Sequence, residues 1–143
     1  MVQDKYNIAR FIEAQENIYP TALRELREGR KRSHWMWYIF PQLQHLGHSY
    51  NAKFYGISGI EEASEYLNNP ILAQRLREVS DAILILSTDD AVEVFGSIDS
   101  RKLKSSMTLF DIVSPNDIFA RVLDKYFNGQ RDDLTINHIK NED

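Results

Sequence analysis

Residues 29–42 read Gly-Arg-Lys-Arg-Ser-His-Trp-Met-Trp-Tyr-Ile-Phe-Pro-Gln, so Arg30, Lys31 and Arg32 stand beside Ser33 and His34 and lead into both tryptophans of the chain, Trp35 and Trp37. Such cations offer point charge and directed donors to a phosphate or carboxylate, and the indoles offer flat faces to a ring. A second block follows Gly96: Ser97, Ile98 and Asp99 lead into Lys102, Lys104, Ser105, Ser106 and Thr108. Hydroxyls and lysines near a helix start can surround a phosphate. Neither block is complete alone. The expectation is that they meet, with His34 a short reach from Ser105 or Ser106 and with Arg30 or Lys31 opening toward the same cleft as Lys102. Arg30, Lys31, His34, Trp37, Lys102 and Ser105 are then the ligand-binding candidates, and His34 and Ser106 the catalytic ones. The ligand expected is a phosphorylated, ring-bearing small molecule, with chemistry at an N-glycosidic carbon as its most specific form.

Each group also has a structural alternative. Trp35, Trp37, Ile39 and Phe40 suit a core, where truncating such rings costs several kcal/mol. Cations just past a helix end are favoured by the carbonyl dipole. Ser105, Ser106 and Thr108 can bond the preceding turn of their own helix. Under this alternative the same residues make up the core and surface of a non-catalytic protein-interaction module, whose partner the sequence leaves unnamed. Ser33 and His34 are neighbours in the chain and do not normally face one another as nucleophile and base. His45 and His48 lack an acidic or thiolate companion, so no metal site and no cofactor are expected.

Stepping outward, 143 residues make one domain, expected to span 1–143 with a polar tail from about 131. Zero cysteines excludes disulfides and thiolate chemistry. A net charge of -4 argues against general nucleic-acid binding. No apolar run reaches the ~20 residues of a membrane span. The start of the chain, Met-Val-Gln-Asp-Lys, lacks an apolar leader, so a cytoplasmic protein without membrane association is expected.

Helical signals dominate. Asp4 precedes Ile8, Phe11 and Ile12; Pro20 opens a segment closed by Gly29; Ser58 to Glu61 reads as a capping box; Asn69-Pro70 opens a long helix with Leu72, Leu76, Val79, Ile83 and Leu86 on one face. Thr88-Asp89, Asp99 or Ser100, and Asn116 are the expected caps of three more, the last ending at Gly129. The region 44–55 reads as loop, and 35–40 could be a buried strand on composition alone. The fold expected is all-α, a compact single-domain bundle of six or seven helices without significant sheet.

The run Gly29-Arg30-Lys31 with Ser33-His34-Trp35-Met36-Trp37-Tyr38-Ile39-Phe40-Pro41-Gln42 resembles the signature of the family catalogued as domain of unknown function 1810, small and mainly helical. Leu46-Gly47-His48-Ser49, Tyr55-Gly56-Ile57, Asn69-Pro70, Phe95-Gly96, Asp99, Lys102-Leu103 and Ser105-Ser106-Met107-Thr108-Leu109-Phe110 follow in that family's order. His45 departs from it, standing where glycine is expected. The resemblance spans essentially the whole chain and implies the fold, not an activity. A fainter local likeness, from Asn69-Pro70 to Gly96, is to the NADAR family of N-glycosidases, which act on ADP-ribose-type substrates; Val92 stands where that family carries a carboxylate.

Overall fold

The computed structural model describes residues 4–142. Its helices are α1 (Ala9–Gln15), α2 (Tyr19–Arg27), α3 (Met36–Ile39), α4 (Tyr50–Phe54), α5 (Ile60–Asn68), α6 (Pro70–Leu84), α7 (Ala91–Phe95), α8 (Ser97–Val113), α9 (Ile118–Phe127) and α10 (Asp133–Lys140), with a 3-10 turn at Gln44–Leu46. No strand is present among the described residues. A single parallel bridge joins Leu43 to Ile57. The all-helical expectation holds, but ten helices are found among the described residues instead of six or seven: α3 and α4 are single-turn pieces that carry too little period to read, and α10 falls where a polar tail is expected.

Helices α6 and α8 form the middle of the bundle. Helix α8 packs on α5, α7, α9 and α10, and α6 on α1, α2, α5 and α9. Leu72, Leu76, Val79 and Ile83 of α6 meet a core that includes Leu103, Met107 and Phe110 of α8 and Phe119, Val122 and Leu123 of α9, all essentially sealed from solvent. The apolar face that the spacing from Leu72 predicts is the face that is buried.

Helix ends explain the local course of the chain. Asn69 Oδ1 accepts from Ile71 and Leu72 N–H at 3.0 and 3.1 Å while Pro70 occupies the first position of α6. Asp4 caps α1 through Ile8 and Ala9 N–H. At the end of α2, Gly29 adopts φ +82°, its N–H donates to Leu26 O and Arg30 N–H donates to Glu25 O. That is a Schellman termination, and it turns residues 30–35 back over the helix.

Several expected caps move by a residue or more. Asp90, not Thr88 or Asp89, caps α7 by accepting from Val92 and Glu93 N–H. Asp117, not Asn116, caps α9; the Arg77 side chain, which outweighs the cost of burial, and the Ile118 N–H hold its carboxyl down at about 2. Ser58 does not cap α5 directly: Glu62 Oε1 accepts both its N–H and its hydroxyl at 2.9 Å, and Glu142 accepts the Ile60 N–H instead. Residues 35–40 form α3 rather than a strand, and 44–55 contain the 3-10 turn and α4, whose cap is Ser49. Residues 133–140, in the expected polar tail, form α10. Asp132 caps α10 through Thr135, Thr135 is wholly buried, and Arg131 pairs with Asp111 at 3.2 Å.

Two buried carboxylates fix the remaining loops. Glu62 and Arg10, each under a tenth exposed, pair at 2.7 Å, and the same guanidinium donates to the carbonyls of Tyr6, Asn7, Phe54 and Gly56. Glu25, 3% exposed, accepts from Arg32 N–H at 2.8 Å, Ser33 N–H at 2.9 Å, Ser33 Oγ at 2.6 Å and Trp35 Nε1 at 2.9 Å.

Burial works against ionisation of Glu25, but those four donors outweigh it and hold the carboxyl at about 2, down from 4.5. A group whose pKa is depressed by folding contributes stability that is complete above its unfolded pKa and is lost as pH falls toward the folded value. At about 1.4 kcal/mol per unit, the contribution is on the order of 3 kcal/mol. Urea midpoints measured from pH 6 to pH 2.5 are therefore expected to fall more steeply for the parent than for Glu25→Gln, and to fall mainly below pH 4.5. Parallel profiles would mean that folding leaves the Glu25 carboxyl at its ordinary pKa.

Candidate functional site

The two sequence blocks do meet, through groups other than the serines. Lys31 N–H donates to Val94 O at 2.8 Å, which ties the segment after α2 to α7, and Phe40 packs edge-on against Phe95 at 5.8 Å. Gly96, at φ +84° and ψ 166°, then joins α7 to α8 without an intervening loop, a conformation open to glycine at little cost. Because α8 starts at Ser97, Asp99 is not its cap. It lies in the first turn with its carboxylate turned toward Lys31 Nζ at 2.9 Å and Lys102 Nζ at 3.5 Å.

A cavity of about 340 Å³ opens at this junction. Its walls include Lys31, His34, Met36, Trp37, Asp99 and Lys102, together with the start of α8. The contributions differ in kind. Lys31, 8% exposed at its side chain, is already engaged by Asp99, by the Ser33 carbonyl at 2.6 Å and by the Trp35 ring at 5.0 Å. It binds the two blocks together and has little left to offer. Lys102 is only loosely held by Asp99 and stands 5.4 Å from the centre of the Trp37 ring, so its ammonium keeps donors for a ligand. His34 is exposed at the rim. Two ammonium groups against one carboxylate leave the cavity one positive charge in surplus before His34 is counted.

Trp35 and Trp37 part company. Trp35 is fully buried with its N–H on Glu25, as a core residue should be, whereas Trp37 is half-buried and presents its ring to the cavity. Arg30 is exposed and does not line the cavity. Ser105 lines a neighbouring cavity and its hydroxyl bonds Arg101 O in the preceding turn. Ser106 is completely buried and its Oγ has no hydrogen-bond partner. The arrangement thus brings Lys31, His34, Trp37 and Lys102 together and leaves Arg30, Ser105 and Ser106 outside. A hydroxyl with no exposed surface has no access to a substrate, so the fold gives Ser106 no route to act as a nucleophile.

Sequence reasoning assigned Asp99 to capping and overlooked Glu25. For Asp99 the available signal was its i,i+3 spacing to Lys102 on one helix face. For Glu25 it was a carboxylate sharing the face of Ala22 and Leu26, both of which are fully buried. The His45 ring does not join His48 but stacks on His138 at 3.9 Å and 16°. Among the described residues no group of three or more His, Asp or Glu is placed to hold a metal ion, and no helix is long and apolar enough to cross a membrane.

Comparison with known proteins bears on the fold and the lineage. A solved structure, the conserved hypothetical protein Rv1873 from Mycobacterium tuberculosis, is similar to this chain with 42% identity and a TM-score of 0.93, over 96% of this chain and 99% of that one. No curated protein matches. The family model described as "Protein of unknown function (DUF1810)" matches residues 5–139, nearly the whole sequence. The helical scaffold, the junction of its two motif blocks and this match agree: the chain belongs to the DUF1810 family.

Proposed function

We propose that the cavity between α3 and the start of α8 binds a small anionic, ring-bearing molecule of the phosphorylated class, with Lys102 and His34 toward the anion and the Trp37 face toward a ring or sugar. The observation that carries this reading is the Lys102 ammonium poised over Trp37 at 5.4 Å, bound on one side only, in a cavity of about 340 Å³. That volume falls in the range of small-molecule sites, and the mix of an aromatic wall with few charged groups suits one.

The reading is binding rather than bond cleavage. Asp99 is the sole carboxylate among the lining residues, and both of its oxygens are engaged by lysines. Hydrolysis at a glycosidic carbon generally draws on a free acid and a free base. A nucleotide or an ADP-ribose-like molecule remains the finer form of the ligand proposed here.

Titration with AMP, ribose 5-phosphate and inorganic phosphate, followed by calorimetry and by tryptophan fluorescence, tests the reading. AMP is expected to bind in the micromolar to millimolar range and to alter the emission of Trp37; Lys102→Met should weaken it at least tenfold, with His34→Gln a smaller loss. If none of the three binds the parent, the cavity is not an anion site and the interaction-module alternative replaces this reading.

A further inference from the structure

A second cavity, of about 330 Å³, abuts the first, and Lys102 and Ile98 belong to the walls of both. Its walls also include Leu46 of the 3-10 turn and Leu134 of α10, with Gln42, Arg101, Ser105 and Asp132 as polar members. Ile98 and Leu134 are 69% and 64% exposed, large apolar side chains that nothing in the fold covers. Among the described residues the Gln42 carboxamide and the Arg101 guanidinium engage in no hydrogen bond or ion pair, whereas Ser105 and Asp132 bond within their own elements, so a donor-acceptor pair and a cation are available beside Ile98, Leu46 and Leu134. That is the composition expected for holding a flat heterocycle: aliphatic faces to sandwich it and a carboxamide to read its edge. Trp37 provides a flat face in the first cavity, its ring centre 5.4 Å from the Lys102 ammonium.

We propose that the two cavities act as one two-lobed site, whose ligand carries a ring at each end and a phosphate linkage between them, the linkage lying at Lys102. The proposal rests on the anion site described above and extends it across Ile98. Leu134 and Gln42 are then specificity residues for the second ring and take no part in holding the phosphate.

The test compares AMP, which can fill one lobe, with diadenosine 5',5'-diphosphate, which can fill both, by calorimetry on the intact protein. The two-ring probe is expected to bind at least tenfold tighter than AMP. Leu134→Ala, at an exposed position in the first turn of α10, should remove most of that advantage, whereas Lys102→Met should weaken both probes. Gln42→Ala should reduce the advantage part-way. Equal affinities for the two probes, or an advantage that survives both Leu134→Ala and Gln42→Ala, would overturn the two-lobed site while the anion site stands. Binding of neither probe would overturn both.

Discussion

Arg10→Met is expected to destabilise the protein by about 3–5 kcal/mol, enough to leave it marginal at room temperature. The guanidinium of Arg10 is shared among Glu62 and the carbonyls of Tyr6, Asn7, Phe54 and Gly56, a set that joins the start of α1, the end of α4 and the start of α5. Removing it strands a buried carboxylate and several carbonyls at once, and the cost of an unpaired buried charge far exceeds the net value of the pair itself. The double variant Arg10→Met with Glu62→Met is therefore expected to recover part of the loss. Urea denaturation of the two variants beside the parent measures both. A single variant within about 1 kcal/mol of the parent would show that the cluster is solvated in solution rather than dry.

The contrast between this cluster and the rest of the fold shows which interactions announce themselves in a sequence. Helix α6 was legible because Leu72, Leu76, Val79 and Ile83 repeat with the period of one helical face, and because an asparagine and a proline at its start act within a few residues. Gly29 was legible for the same reason: its turn is closed by its immediate neighbours. Arg10, Glu25 and Asp99 gain their roles from partners that only the tertiary fold supplies, Phe54 and Glu62 for the first, Trp35 for the second, Lys31 for the third. Helix α10 was missed because its few apolar residues suggested a tail, whereas its anchorage is polar, through Thr108, Asp111 and the buried Thr135. The site was legible as to which blocks would meet and illegible as to which atoms. Of the second block, Asp99 and Lys102 line the cavity from the first turns of α8, while Ser106, seven residues on from Asp99 and on the same helical face, lies about two turns further along the axis in the buried part of the bundle, and Ser105 bonds back to Arg101 O.

The two tryptophans differ in the same way, one sealed in the core and one at the cavity, and their truncation is expected to give contrasting results. Trp35 has no exposed surface, its ring lies 6.4 Å from Phe40 and under the Lys31 ammonium, and its N–H is one of the four donors on Glu25. Trp35→Ala opens a cavity the size of an indole and weakens the carboxylate that organises residues 32–35, so a loss of about 3–5 kcal/mol is expected. Trp35→Phe refills most of that volume but deletes the donor, for an expected loss of about 1–3 kcal/mol. Trp37 is half-buried and faces the cavity beside Lys102, where its removal leaves an enlarged, solvent-filled pocket rather than a sealed void. Trp37→Ala is accordingly expected to cost only about 1 kcal/mol in stability, and to lower AMP affinity at least tenfold. Thermal and urea melts of the three variants, read together with AMP titrations, separate the roles. Equal losses of stability at both positions would make Trp37 a core residue like Trp35, and the cavity beside it a packing gap instead of a binding site.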